Sequence, residues 1–111
     1  MNKQIGTATY LESLKIIKRY TENNNLKEKP FEAWIIASSK GSISVKGVFQ
    51  VLIEINQEDA VLTIVGDNPC TYNYPAIYSA HNYEFKNINN TLIITGEDQL
   101  GRTVSVEITP K

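Results

Sequence analysis

Hydrophobic and polar positions alternate along this chain in two different rhythms, and the change of rhythm divides it. From Thr9 to about residue 23 the apolar residues recur at helical spacing: at 100° per residue Tyr10, Leu11, Leu14 and Ile17 share one stripe, and Glu12, Lys15, Arg19 and Glu22 lie opposite. Thr9-Tyr10-Leu11-Glu12 has the form of a capping box, in which the hydroxyl and the carboxylate each satisfy a free first-turn amide. Asn23-Asn24-Asn25 then tolerates left-handed backbone, and Pro30 forbids helical continuation. The pattern predicts an amphipathic helix over about 9–23, with Ile16 and Tyr20 off the main stripe as rim packing.

After Pro30 the period becomes two and β-branched and aromatic residues dominate, which predicts a sheet over about 31–109. Phe31 to Ser38 is nearly continuous apolar sequence and reads as a central strand covered on both faces. From Ile43 to Ile55 the odd positions are apolar apart from Gly47. At about 3.3 Å per residue such a strand would run near 40 Å, so a bulge or bend is expected at Gly47. Asn56-Gln57-Glu58-Asp59 reads as a hairpin loop and Ala60 to Gly66 as the return strand. Tyr83 to Lys86, Thr91 to Gly96 and Thr103 to Thr109 read as three more strands. The expected fold class is α+β: an N-terminal amphipathic helix packed on an antiparallel β-meander of about six strands, either an open curved sheet or a small barrel.

Length and composition add limits. At 111 residues, 41% hydrophobic and 21% charged, the chain has the balance of one folded domain spanning 1–111. No apolar run approaches the roughly 18–20 residues of a membrane span, and Met1 to Gly6 lacks the apolar core of a secretory signal, so a cytoplasmic protein with no membrane partner is expected. Cys70 is the single cysteine, which excludes an internal disulfide and multi-cysteine metal sites. Charge is polarised: residues 1–50 carry +4 and residues 51–111 carry −5. Such asymmetry can orient a molecule toward a partner or toward copies of itself.

The one long connection, Asp67 to Asn82, holds Pro69, Cys70, Tyr72, Tyr74, Pro75, Tyr78 and His81. Long connections are often functional, and tyrosine offers large, rigid, amphipathic contact. Pro75 to Ala80 could open a short helix, or Ile77 to Phe85 could pair as a longer strand. The expected partner- or ligand-binding residues are therefore Tyr72, Tyr74, Tyr78, His81 and Tyr83, together with Trp34.

Reactive constellations are weak by comparison. Cys70 and His81 alone lack the third group and oxyanion site that a nucleophile needs. The acidic pairs Glu58-Asp59 and Glu97-Asp98 fall in hairpin tips and read as solvated turns, without the ligand alternation of a calcium loop. Ser38-Ser39-Lys40-Gly41-Ser42 lacks phosphate-loop spacing. Lys15, Lys18, Arg19, Lys27 and Lys29 form a thin basic edge, but a sequence pI near 5.8 and the lack of an RNP-like aromatic strand argue against nucleic acid. No catalytic residue, metal or cofactor is expected.

The sequence thus reads as a non-enzymatic protein-binding module, such as an inhibitor, immunity or accessory factor, acting through the tyrosine-rich loop and an exposed sheet face. Its partner would be another protein or itself, as a homodimer. The alternative is a small-ligand carrier, with an apolar or aromatic ligand held in a curved-sheet or barrel pocket lined by Trp34, Phe49, Tyr72 and Tyr74.

Overall fold

The computed structural model describes residues 5–26, 29–40, 42–56, 59–66, 76–97 and 100–111. Among these residues one helix, α1 (Thr7–Asn24), precedes seven strands: β1 (Phe31–Ser39), β2 (Ser42–Ile55), β3 (Ala60–Gly66), β4 (Ala76–Ser79), β5 (Tyr83–Ile88), β6 (Thr91–Glu97) and β7 (Thr103–Pro110). All pairings are antiparallel, in a single sheet of order β4-β3-β2-β1-β7-β6-β5. The two edge strands, β4 and β5, are separated in sequence by only Ala80, His81 and Asn82. Opposite edges joined by three residues must approach each other, so the sheet curls into a nearly closed barrel with one face of α1 packed against its inner side. Open sheet and barrel, alternatives in the sequence, merge here.

The helix begins at Thr7 with Gly6 as its N-cap, and no side chain caps it. The capping box at Thr9 and Glu12 is not used. The backbone N–H of Ile5 donates to the carbonyl of His81 (3.1 Å), which anchors the incoming chain, and helical bonding starts with Tyr10 N–H to Gly6 C=O at 2.9 Å. Thr9 is thereby already inside the first turn. At the other end Asn25 takes left-handed geometry (φ 55°) and Leu26 N–H reaches the carbonyl of Thr21, a Schellman closure with Leu26 buried beneath it.

The buried stripe is rotated from the expected one. Ser13, Ile17, Tyr20 and Thr21 are buried, whereas Leu11 is 52% exposed. Tyr20, expected at the rim, has no exposed surface at all. Its hydroxyl donates to the backbone oxygens of Asn90 (3.1 Å) and Ile108 (3.4 Å), so a polar tip reaches carbonyls at the far wall while the ring fills the centre. Hydrophobicity alone could not rank it above Leu11, because the advantage lies in those two distant acceptors.

Inside the curl, Ile35, Val51, Ile53, Leu62, Ile64, Phe85, Leu92, Ile94, Val106 and Ile108 form one cluster with Ile17 and Tyr20. β1 is central in the sheet but covered on one face only: Ala33, Ile35 and Ala37 point inward, and Trp34 is 53% exposed. Among the described residues the one helix lies on the inner side and no helix or strand covers the outer side.

Gly47 does not carry the bulge. It sits in regular register opposite Ile35, and the shifts fall between Ala37 and Ser38 of β1 and between Gln50 and Val51 of β2. Register parity explains the first. The β1–β2 hairpin closes with Ser39 opposite Ser42, which would set inward-facing odd residues of β1 against even residues of β2. One extra residue on β2 restores Ala37 opposite Val45 and keeps the apolar side chains inward.

Ala76–Ser79 forms β4, paired with β3 through Thr63↔Ile77 and Leu62↔Tyr78, so neither the helix at Pro75–Ala80 nor one strand from Ile77 to Phe85 is formed. β5 runs on to Ile88, leaving Asn89 and Asn90 (φ 52° and 66°) as a two-residue turn suited to asparagine. Among the described residues no helix is long and apolar enough to cross a membrane.

Candidate functional site

The residues singled out in the sequence fall into two separate places. Tyr72 and Tyr74, with Cys70, lie outside the described residues. Tyr78, His81 and Tyr83 meet at the corner where β4 turns into β5. There the rings of Tyr78 and Tyr83 pack edge to face at 5.1 Å between centroids, and the His81 imidazole stacks on Tyr10 of α1 at 4.5 Å and 12°. Tyr83 is buried and Tyr78 packs against the core, so both rings serve the interior, where Tyr83 lies opposite Gly96 of β6.

Asp59 organises this corner, although in the sequence it reads as half of a solvated acidic tip. Its backbone N–H donates to the side-chain oxygen of Asn56 (2.7 Å), one of its own carboxylate oxygens accepts from Ala60 N–H (2.8 Å), and the other accepts from the Ser79 hydroxyl (2.7 Å). Ser79 Oγ in turn accepts the His81 backbone N–H at 3.1 Å. His81 Nε2 stands 3.9 Å from Asp59, at the outer limit of an ion pair. Serine, histidine and aspartate are therefore neighbours, but the hydroxyl donates directly to the carboxylate instead of to the imidazole. Nucleophilic catalysis needs the reverse order, with the base between the two. The arrangement ties the β2–β3 hairpin to the β4–β5 corner. The Asn56-to-Asp59 spacing was a readable sign of a side-chain-stabilised turn; nothing nearby in sequence announced Ser79.

Trp34 lies elsewhere, on the outer face of the central strand. Ala33 pairs with Phe49 and Trp34 with Val48, so Trp34 and Phe49 point to opposite sides of the sheet and a pocket lined by both does not form. Across the outer face one row runs Val48, Trp34, Thr109, Thr91 and Ile88, the two threonine hydroxyls bonded at 2.9 Å. The next row runs Lys46, Ile36, Glu107, Ile93 and Lys86. The ammonium of Lys111 stands 5.7 Å from the Trp34 ring centroid, a cation–π contact at the patch edge. Trp34 and Ile88 are each more than half exposed, and among the described residues no helix or strand covers this face.

The inner side of the curl offers less room. Ile17 and Tyr20 enter it from α1 and belong to the same buried cluster as the strand side chains. Among the described residues no group of three or more His, Cys, Asp or Glu side chains is placed to hold a metal ion.

No protein-family model, no curated protein and no solved structure matches this chain.

Proposed function

We propose that the protein is a non-enzymatic protein-binding module, of the kind that acts as an inhibitor, immunity or accessory factor, and that its contact surface is the outer sheet face centred on Trp34. The observation that carries this reading is a tryptophan 53% exposed on the central strand of a sheet whose other side takes the only helix described. Tryptophan is enriched at binding hot spots, and here Val48 and Ile36 supply apolar surroundings, Lys46 and Lys111 flank them, and Glu107 lies within the face between Ile36 and Ile93. The face is convex because the sheet curls away from it, which favours a partner with an apolar cleft. The tyrosine-rich segment before β4 is the second contact element of the proposal. A carrier finds less support, since helix side chains fill the inside of the curl.

The test is native mass spectrometry of the protein after incubation with extract from its source, run beside Trp34→Ser. The proposal expects a second polypeptide on the wild type, its loss from the variant, and a melting temperature nearly unchanged by the substitution. Retention of that polypeptide by Trp34→Ser would overturn the assignment of the face. A monomer carrying an added few hundred daltons would favour the carrier instead.

A further inference from the structure

Trp34 is flanked by charge that its own chain uses only in part. On the outer face its neighbours along β1 are Glu32 and Ile36, and Thr109 and Val48 stand opposite it on the adjoining strands. Glu107 opposes Ile36, so it lies diagonal to Trp34, a separation of about 7–8 Å between antiparallel strands. Both Glu32 and Glu107 are exposed, and neither has an ion-pair partner among the described residues. For Glu107 the reason is in its row. Lys46 and Lys86 share that row, but Ile36 and Ile93 stand between, which sets each lysine two strands and about 10 Å away.

The ring already holds a cation. Lys111, whose backbone N–H donates to the carbonyl of Glu32 (3.1 Å), brings its ammonium to 5.7 Å from the indole centroid. That is near the outer limit of about 6 Å for a cation–π contact, and the lysine is exposed. The ammonium can therefore leave for water without stranding a buried charge.

A guest cation that displaces it must use the ring and the diagonal carboxylate together. An ammonium is a point charge and engages one of them at a time. A guanidinium is planar: its face stacks on an aromatic ring while its N–H edge reaches sideways to a carboxylate, with two parallel hydrogen bonds. Val48 and Ile36, on either side of Trp34, offer apolar contact to the methylene stem of such a side chain.

We propose that the Trp34 face recognises an arginine side chain of its partner protein, the guanidinium stacked on the indole in place of the Lys111 ammonium and paired with Glu107. This rests on the reading of that face as the contact surface and adds the chemistry of what it contacts. Lys111 is then an internal competitor, seated on the ring until an arginine takes its place.

Trp34 is the only tryptophan, so its fluorescence reports occupancy directly. The full chain is titrated with acetyl-leucyl-arginyl-leucine amide and with the same peptide carrying lysine, or citrulline as the neutral isostere, in place of arginine. The expected result is a saturable change in emission with the arginine peptide and affinity lower by roughly tenfold or more for the other two. Glu107→Gln, at an exposed position, should weaken the arginine peptide by a similar factor and leave the citrulline peptide unaffected. Lys111→Ala should strengthen arginine binding by roughly two- to fivefold. Equal response to arginine and citrulline, no response to arginine, or indifference to residue 107 would overturn the proposal. Native mass spectrometry separates that failure from failure of the face itself. A polypeptide lost from both Trp34→Ser and Glu107→Gln supports the arginine contact; one lost from Trp34→Ser but kept by Glu107→Gln retains the face and removes the arginine; one kept by both removes the face and the arginine with it.

Discussion

The ring of Tyr83 lies across Gly96 of the neighbouring strand so closely that a β-carbon at residue 96 would fall 2.6 Å from its Cδ1 and 3.2 Å from the carbonyl oxygen of Asn82. Glycine is needed here for space. Tyr83 is buried and held edge to face by Tyr78, so its ring has little freedom to move aside.

Gly96→Ala should therefore destabilise the fold by about 1–3 kcal/mol, the usual cost of overpacking a core contact. Urea unfolding measures it. In the Tyr83→Ala background the same glycine substitution should cost much less, because the ring that it strikes has gone. Equal costs in the two backgrounds would show that the strain lies in the backbone contact with Asn82.

Tyr20 predicts an alkaline limit to stability. Burial without compensating charge pushes its phenol pKa well above the ordinary value near 10. The folded state thus keeps the proton at pH values where the unfolded chain has released it. With fewer protons bound in the unfolded state, stability falls as pH rises. The contribution of Tyr20 is complete below about pH 10 and declines above it, by at most about 1.4 kcal/mol per pH unit. Tyr20→Phe should cost about 0.5–1.5 kcal/mol at neutral pH through its lost hydrogen bonds. It should also flatten the decline above pH 10 in a urea series; an unchanged slope would exclude Tyr20 as its source.

Much of the architecture was legible because it rests on local chemistry. A continuous apolar run located β1 and β-branched, alternating sequence the other strands apart from β4, and the triple asparagine before Pro30 marked the end of α1. The misreadings concern long-range relations. Which apolar helical residue is buried depends on distant acceptors, and so Tyr20 replaced Leu11. The bulge beside Ser38 follows from the parity that the hairpin turn imposes on two strands, which periodicity within one strand cannot reveal. β4 is only four residues long and gains its identity from pairing with β3. Of the candidate residues, aromaticity marked Trp34 and the Tyr78–His81–Tyr83 corner, but only the register shows which face each occupies. Asp59 escaped notice because its second oxygen is taken up twenty residues away by Ser79.

That long-range bond makes Asp59 a structural residue with a measurable signature. Removing its side chain leaves the Ala60 N–H and the Ser79 hydroxyl without their acceptor, while the bond from the residue 59 backbone N–H to Asn56 is kept. Asp59→Ala should cost about 1–3 kcal/mol, the scale of charge-assisted hydrogen bonds in a partly buried site. Asp59→Asn, which keeps an amide oxygen for one of the two donors, should cost less, and Ser79→Ala should fall near or below it. The bond between residues 59 and 79 is direct, so the double variant Asp59→Ala/Ser79→Ala should be more stable than the sum of the two single losses implies. Strict additivity in urea unfolding would mean that the carboxylate acts only within its own turn, and that the β4–β5 corner is held by its backbone bonds to Ile5 and Ala60 and by the aromatic contacts of Tyr10, Tyr78, His81 and Tyr83.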